Sequence, residues 1–197
     1  MNAQDLDQLV AAKVSELAEH RLEQMVRDQV RAALAAEAEK RVRPKQLAIV
    51  ASKGTLDGAY PPLILATTAA ALDMEAGVFF TFFGLHILKK KALHRLKFVP
   101  VGNPAMPMPM PNMIGALPGM TGLATVMMKQ TIKGKHIASI PELMDVARES
   151  GVKLWPCQMT MEMMGIRRED LIDGLEEPVG AATFLEYASR ADITLFV

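Results

Sequence analysis

The most informative segment of the chain reads Val152-Lys153-Leu154-Trp155-Pro156-Cys157-Gln158-Met159-Thr160-Met161-Glu162. An apolar run ends at Pro156, the only cysteine in 197 residues follows it, and a helical pattern continues to Gly165. This order predicts a buried strand, a turn at Cys157, and a short helix capped by Thr160 or a residue just before it. A thiol at such a turn lies beside backbone N–H groups and the positive end of a helix dipole, and both favour the thiolate. We therefore predict that Cys157 carries the reactive atom.

Length, charge and cysteine content limit the classes of function. A chain of 197 residues suits one medium domain plus an extension. Lys plus Arg and Asp plus Glu each number 22, so the net charge gives no reason to expect a nucleic-acid partner. A single cysteine cannot form an internal disulfide, and the N-terminus is polar and charged rather than an apolar signal sequence. We expect a cytoplasmic protein that does not bind nucleic acid.

Residues 59–88 are unusually apolar, with Asp73 and Glu75 as their only charges. A membrane-spanning helix needs about 20 apolar residues. However, Pro61-Pro62 and the interruption at residues 72–77 divide the segment into two shorter pieces. Two buried elements of an α/β fold fit this pattern better, because the strands of parallel sheets are nearly continuous apolar runs. Membrane association remains the less favoured alternative.

The N-terminal part of the chain, residues 1–43, differs in composition from the rest. It has no Gly or Pro before Pro44, and its apolar residues recur at helical spacing. They are Leu6, Leu9, Val10, Val14, Leu17, Met25, Val26, Val30 and Leu34. This predicts a long amphipathic helix over residues 2–42, followed by an α/β domain over residues 44–197. The helix either packs on its own domain or associates with a second helix, although its spacing is not a strict heptad.

After Pro44, apolar strands alternate with helices. The predicted strands and extended segments are Gln46–Ala51, Ala76–Phe82, Lys97–Val101, Val152–Trp155 and a buried Ile193–Val197. Besides the helix after Cys157, the predicted helices cover Pro61 to Leu72, Leu85 to Leu93, Gly122 to Lys133, Ser139 to Gly151, Arg168 to Ile172 and Thr183 to Arg190. Ser139 and Thr183 each begin a capping-box pattern with a glutamate three residues later. The alternation predicts a mainly parallel sheet with helices on both faces.

In open parallel sheets, ligands bind beyond the carboxyl ends of the strands. The residues predicted at that edge are Ser52, Lys53, Gly54, Thr55, Gly84, His86, Asn103 and Cys157. Lys53 is a candidate source of positive charge for a thiolate or another anion, and His86 is a weaker candidate base. The sequence has no Cys/His pair, HExxH motif or paired cysteines, which argues against zinc chemistry and CxxC redox cycling. We expect no metal and no cofactor.

Alternating methionine and proline mark the segment Gly102-Asn103-Pro104-Ala105-Met106-Pro107-Met108-Pro109-Met110-Pro111-Asn112. Repeated proline excludes a helix and a central strand, so we predict an extended, polyproline-like loop. Its thioethers, on Met106, Met108 and Met110, suit copper(I). They also suit the cover of an apolar pocket or interface. The second interpretation fits better, because no His, Cys or second Met cluster is placed to complete a metal coordination shell.

Three motifs together make the chain from Lys45 to Val197 resemble the DsrE/DsrF-like family of sulfur-relay proteins, which includes the TusD-type subunits. They are Ala51-Ser52-Lys53-Gly54-Thr55-Leu56-Asp57, Gly102-Asn103-Pro104-Ala105-Met106-Pro107-Met108-Pro109 and Cys157-Gln158-Met159-Thr160-Met161. The resemblance implies a three-layer α/β fold and association into homo- or hetero-oligomers. It also implies a cysteine that carries sulfur as a persulfide or bound thiosulfonate. Small TusA-like carriers and rhodaneses are the implied partners.

Cys157 alone matches the sulfur-carrying position of that family. Some relatives have a second cysteine, which this chain lacks, and the N-terminal helix is not part of the family pattern. We therefore predict a sulfurtransferase-like carrier that accepts sulfane sulfur on Cys157 and passes it to a partner protein thiol. The residues expected to support the anion or its pocket are Ser52, Lys53, Gly54, Thr55, Asn103 and Gln158. The alternative is a non-catalytic module whose Met-Pro loop binds copper(I) or an apolar partner.

Overall fold

The protein is described here from a computed structural model that covers residues 3–98 and 119–197, with the side chains of residues 3–12 and 39–42 left aside. The chain forms two compact units that divide between Pro44 and Lys45. Within the described residues, no helix is long and apolar enough to cross a bilayer.

The first unit contains the helix α1, Ala3–Val42, as the sequence predicts. Its side chains from Lys13 to Ala38 are exposed, including the large apolar ones. Val14, Leu22 and Val26 are separated by multiples of four residues. Because an α-helix has about 3.6 residues per turn, the side-chain direction rotates by about 40° around the helix axis for every four residues. The apolar stripe therefore winds around α1, and its association with a second helix stays a prediction.

The second unit is built on four strands, namely β1 (Gln46–Ala51), β2 (Glu75–Phe80), β3 (Lys153–Pro156) and β4 (Ile193–Phe196). The pairings among these four strands are parallel, in the order β3-β2-β1-β4. The α-helices are α2 (Leu56–Ala71), α3 (Met120–Gly134), α4 (Ile140–Glu149), α5 (Gln158–Met164) and α6 (Ala181–Ala188). Short 3₁₀ helices cover Phe82–Leu88, Leu93–Arg95 and Arg168–Asp170.

Alternation along the strands separates two apolar layers. Leu47, Ile49 and Leu154 face the larger layer, which also contains buried residues of α2 and α4. Ala48 and Phe79 face the smaller layer, which contains buried residues of α6. Because successive side chains of a strand point to opposite faces, the sheet has helices on both sides. This confirms the predicted three-layer α/β fold.

Helix α2 begins earlier than the sequence predicts. It starts at Leu56 because Thr55 is its N-cap, and the Thr55 hydroxyl accepts the N–H of Gly58 at 3.3 Å. Pro61 and Pro62 therefore lie inside the helix instead of in its first turn. In α4, by contrast, the predicted capping box between Ser139 and Glu142 is present.

The predicted helix from Leu85 to Leu93 is wrong, since the described chain there forms 3₁₀ segments. Phe82 adopts a left-handed φ of 46°, and Gly84 lies against the end of β1. A Cβ atom on Gly84 would lie 2.1 Å from the carbonyl oxygen of Ala51. This close approach of two backbones directs the chain across the strand ends and prevents a regular α-helix from starting.

Two predictions near the C-terminal sequence also need correction. Strand β4 is predicted to be buried, yet its four side chains are exposed at one edge of the sheet. The capping box expected at Thr183–Glu186 is absent from the described chain, and α6 begins at Ala181 with Gly180 as its N-cap.

Leu154 offers a direct test of the layered core, because its side chain is 0% exposed, whereas Leu185 on α6 is 64% exposed. We expect Leu154→Ala to lower the free energy of unfolding by about 2–5 kcal/mol, through lost burial and a residual cavity. Leu185→Ala should change it by less than about 0.5 kcal/mol. Urea titration followed by circular dichroism measures both, and equal losses would contradict the assignment of the core.

Candidate functional site

Cys157 lies directly after β3 and is the N-cap of α5. Its backbone N–H donates to the carbonyl oxygen of Phe80 at 3.0 Å, which continues the parallel pairing of β3 with β2 by one residue. Its carbonyl oxygen accepts the N–H of Met161 at 3.0 Å, in the first turn of α5. The cysteine is therefore held from both sides at the carboxyl edge of the sheet, where the sequence predicts it.

A segment that the sequence does not reveal, Glu176–Val179, runs along the outer side of β3. The N–H of Glu176 donates to the carbonyl oxygen of Leu154 at 3.1 Å, and the N–H of Val179 donates to the carbonyl oxygen of Pro156 at 3.1 Å. The carbonyl oxygen of Val179 accepts the N–H of Gln158 at 3.0 Å. These bonds attach the segment beside Cys157 and lead the chain into α6.

The thiol side chain is 3% exposed and belongs to the apolar layer under α6, together with Ala48, Phe79, Phe184 and Tyr187. The rings of Phe79 and Phe184 stack with centroids 4.7 Å apart. This aromatic surrounding covers the sulfur on the α6 side, so the resting thiol is shielded from solvent.

Gly77 makes room for the same aromatic layer. A Cβ atom there would lie 2.5 Å from the ring of Trp155 and 2.7 Å from that of Tyr187, two rings that pack edge to face at 4.7 Å. A glycine inside a strand often marks such a close approach. Gly77 was the signal in the sequence from which this cluster could have been found.

Thr160 joins α5 to the end of β2. Its hydroxyl is fully buried, accepts the N–H of Phe82 at 3.1 Å, and lies 3.3 Å from the hydroxyl of Thr81. The helix begins at Gln158, so Thr160 is not its cap as predicted. The bond instead supports Phe82, whose left-handed backbone is costly for a residue other than glycine.

The predicted supporting residues Ser52, Gly54 and Thr55 hold the loop after β1. The hydroxyl of Ser52 donates to the carbonyl oxygen of Val197 at 3.0 Å, while Thr55 caps α2. A Cβ atom on Gly54 would lie 2.1 Å from the carbonyl oxygen of Phe83. These contacts give the residues of this motif a packing role, because they hold the loop after β1 against the loop after β2.

The other predicted polar residues lie at the surface. Lys53 is exposed at the same sheet edge, and no hydrogen bond or ion pair within residues 3–98 and 119–197 joins it to Cys157. Gln158 is exposed, and its side-chain amide donates to Glu162 at 3.0 Å. Partial burial, followed by the charge of Lys89, lowers the pKa of His86, which has no described contact with the thiol either.

Asn103 and the methionines of the Met-Pro segment, Met106, Met108 and Met110, lie outside the described residues. Their roles, and the copper(I) alternative that depends on them, stay predictions.

Exposed apolar side chains lie near the buried thiol. Met159, 60% exposed, and Met163, one turn further along α5, share a face of the helix. Phe82 and Phe83 are exposed at the end of β2, to which Thr160 connects α5. Such a surface suits contact with another protein better than with a small charged molecule.

The chain has relatives among known proteins. Sulfur carrier protein DsrE2 from Allochromatium vinosum is 52% identical over 159 residues, which cover 78% of this chain and 98% of that protein. The uncharacterized protein YrkE from Bacillus subtilis is 31% identical over 156 residues, which cover 78% of this chain and 97% of that protein. The crystal structure of the YchN protein from E. coli aligns with a TM-score of 0.40 at 13% identity, over 78% of this chain and 99% of that one.

The model of the DsrE/DsrF/DrsH-like family matches residues 43–196 and leaves residues 1–42 outside the match. The match and the two curated relatives agree with the resemblance that the three sequence motifs indicate. The chain belongs to the DsrE/DsrF/DrsH-like family.

Proposed function

We propose that the protein is a sulfur carrier, which holds sulfane sulfur on Cys157 as a persulfide or bound thiosulfonate and passes it to a thiol of a partner protein. The observation that carries this proposal is the position of the sole cysteine, at the N-cap of α5 on the carboxyl edge of the sheet. It is supported by a relative, 52% identical, that is named a sulfur carrier protein. TusA-like carriers and rhodanese-type proteins are the proposed partners.

The proposed transfer is a thiol–persulfide exchange. The Cys157 thiolate attacks the outer sulfur of a donor persulfide, a new S–S bond forms, the donor S–S bond breaks, and the donor leaves as a thiolate. An acceptor thiolate then attacks the outer sulfur of the Cys157 persulfide, and Cys157 leaves as a thiolate. No external oxidant or reductant is needed. Lys53, exposed at the same sheet edge, supplies positive charge for the anionic intermediate.

Burial of the thiol gives this mechanism a further requirement. A donor sulfur cannot reach a thiol that is buried in the cluster with Phe79 and Phe184, so this cluster must open locally. Arg168 anchors the chain before Glu176, donating to the carbonyl oxygens of Ile172 at 3.2 Å and Leu175 at 3.1 Å. We therefore place the opening at α6, which is short and has exposed side chains such as Leu185.

Loading with a persulfide donor tests the carrier proposal. Incubation with glutathione persulfide should add the mass of one sulfur atom to the peptide that contains Cys157, and dithiothreitol should remove it. Cys157→Ser should gain nothing, because the chain has no other thiol. Intact-protein and peptide mass spectrometry measure the change. An unmodified wild-type protein under conditions that load a free-thiol control, or sulfur retained by Cys157→Ser, would contradict the proposal.

The rate of thiol labelling tests the opening at α6. We expect folded wild-type protein to react with Ellman's reagent at least about tenfold more slowly than the urea-unfolded chain, because the side chain is buried. Phe184→Ala should accelerate the folded-state reaction, since Phe184 covers the cluster that contains the thiol. Leu185→Ala, one residue further along the same helix, is the matched control. Equal rates for the two variants would place the opening elsewhere.

Amide exchange tests whether Thr160 positions α5. Thr160→Val keeps the side-chain shape but leaves the Phe82 N–H without its acceptor, at a cost of about 1–3 kcal/mol. We expect faster hydrogen exchange at the Phe82 amide, measured by NMR, and slower sulfur loading of Cys157. Thr160→Ser, which retains the hydroxyl, should preserve the slow exchange. Unchanged exchange in Thr160→Val would show that the hydrogen bond does not hold this junction.

A further inference from the structure

An open groove lies on the face of the sheet that carries α2 and α4, whereas the Cys157 side chain belongs to the layer under α6. Its volume is about 420 Å³, and residues from α2, α3, α4 and the Leu93–Arg95 turn line it. Its floor is apolar, with leucine and isoleucine side chains and the half-buried ring of Tyr60. Leu93 and Leu96 are buried, Ile132 is half-buried, and Ile137 is 47% exposed.

The rim of the groove is basic. Lys129 and Lys133 line it from α3, and the Lys129 ammonium donates to the carbonyl oxygen of His94 at 3.1 Å, across the groove. Arg95 and Lys135 are exposed next to these lining residues along the chain. Within residues 3–98 and 119–197, no carboxylate forms an ion pair with any of these four cations. Their positive charge is therefore available to a partner.

Glu142 is the acidic residue of the described lining. Its carboxylate accepts hydrogen bonds from the backbone N–H of Ser139 at 2.7 Å and from the Ser139 hydroxyl at 2.9 Å. Both bonds end on one oxygen, Oε2, and they lower the pKa of Glu142, so the carboxylate of the α4 capping box keeps its negative charge and is outnumbered by the four cations. Since the whole chain carries 22 basic and 22 acidic residues, the groove is a local excess of positive charge on a neutral protein.

We propose that this groove binds an acidic amphipathic segment of a partner protein. Apolar side chains of the segment lie against Leu96, Ile132 and Ile137, and its carboxylates pair with Lys129 and Lys133. Charge complementarity between the rim and the segment selects an acidic partner, while the apolar floor, in which leucine and isoleucine outnumber the one tyrosine, favours apolar side chains. The inference does not depend on sulfur transfer, because the groove and the thiol occupy opposite faces of the sheet.

Fluorescence anisotropy with the full chain and three labelled probes tests the proposal. The first probe is a 16-residue peptide with glutamate on one helical face and leucine on the other. The second is a scrambled peptide of the same composition, and the third is a single-stranded RNA oligonucleotide. We expect saturable binding of the amphipathic peptide with a Kd below about 100 μM, at least fivefold weaker binding of the scrambled peptide, and weakening with added salt.

Charge and apolar variants locate the binding. Lys133→Glu should weaken binding of the amphipathic peptide about fivefold or more, whereas Lys45→Glu, the same charge change before β1, should leave it unchanged. Ile137→Asn should weaken it, but Leu185→Asn, at another exposed apolar position, should not. Circular dichroism verifies that each variant is folded. Sulfur loading of Cys157 should be unaffected in Lys133→Glu, which separates a failure here from a failure of the carrier proposal.

Three results would overturn the inference. They are the absence of peptide binding at 1 mM peptide (about the limit for a weak specific contact), equal binding of the amphipathic and scrambled peptides, and tighter binding of the RNA than of the amphipathic peptide. A fourth result, equal losses of peptide affinity in Lys133→Glu and Lys45→Glu, would overturn the inference as well. It would show that binding depends on the overall charge of the protein and not on the groove.

Discussion

The backbone hydrogen bond from Cys157 to Phe80 fixes the position of the proposed sulfur-carrying residue. It extends the β2–β3 pairing past Pro156, and the chain then turns at once into α5. Strand, cysteine and helix are therefore one continuous unit, and the backbone of Cys157 cannot move without disturbing the sheet edge. The bond between Thr160 and Phe82 adds a second connection between the same two elements. A reactive atom held in this way is positioned by the fold itself and not by a flexible loop.

The apolar surrounding of the thiol gives the site its character. Cys157 is buried in the same apolar cluster as the stacked rings of Phe79 and Phe184, and the nearest charge described at that cluster is the Lys153 ammonium over the ring of Tyr187. In the proposed carrier role, such a pocket slows the reaction of a bound sulfane sulfur with small thiols in solution, because the site must open before exchange. Exposed Met159 and Met163 on α5, close to the thiol in sequence, are the natural first contact for that partner. The closed site would then protect the bound sulfur, and the opened site would exchange it.

The sequence predicts the elements around Cys157 well because their signals are local. An apolar run, a proline and a terminal glycine mark β3 and α5, and Ser139 with Glu142 marks the start of α4. The errors arise where distant parts of the chain meet. The segment after β2 is not helical because Gly84 approaches the Ala51 carbonyl, a contact that depends on the pairing of β1 with β2. The exposure of β4 likewise depends on how other elements pack around it, which no local pattern records.

Of the candidate site, the sequence predicts where Cys157 lies in the fold but not which residues surround it. Ser52, Gly54 and Thr55 belong to one of the motifs on which the resemblance to the family rests, yet their contacts hold the loop after β1. Aromatic residues of the cluster that contains the thiol come instead from β2 and α6. The central claim is that one thiol suffices to receive and return sulfur. The most direct test loads the protein with persulfide, removes the donor and adds one equivalent of a protein that offers an acceptor thiol. Mass spectrometry then follows the masses of both proteins over time. The account predicts that one sulfur atom moves from Cys157 to the acceptor and that Cys157 returns as a free thiol. Sulfur that stays on Cys157, or that is released as sulfide without loading the acceptor, would contradict it.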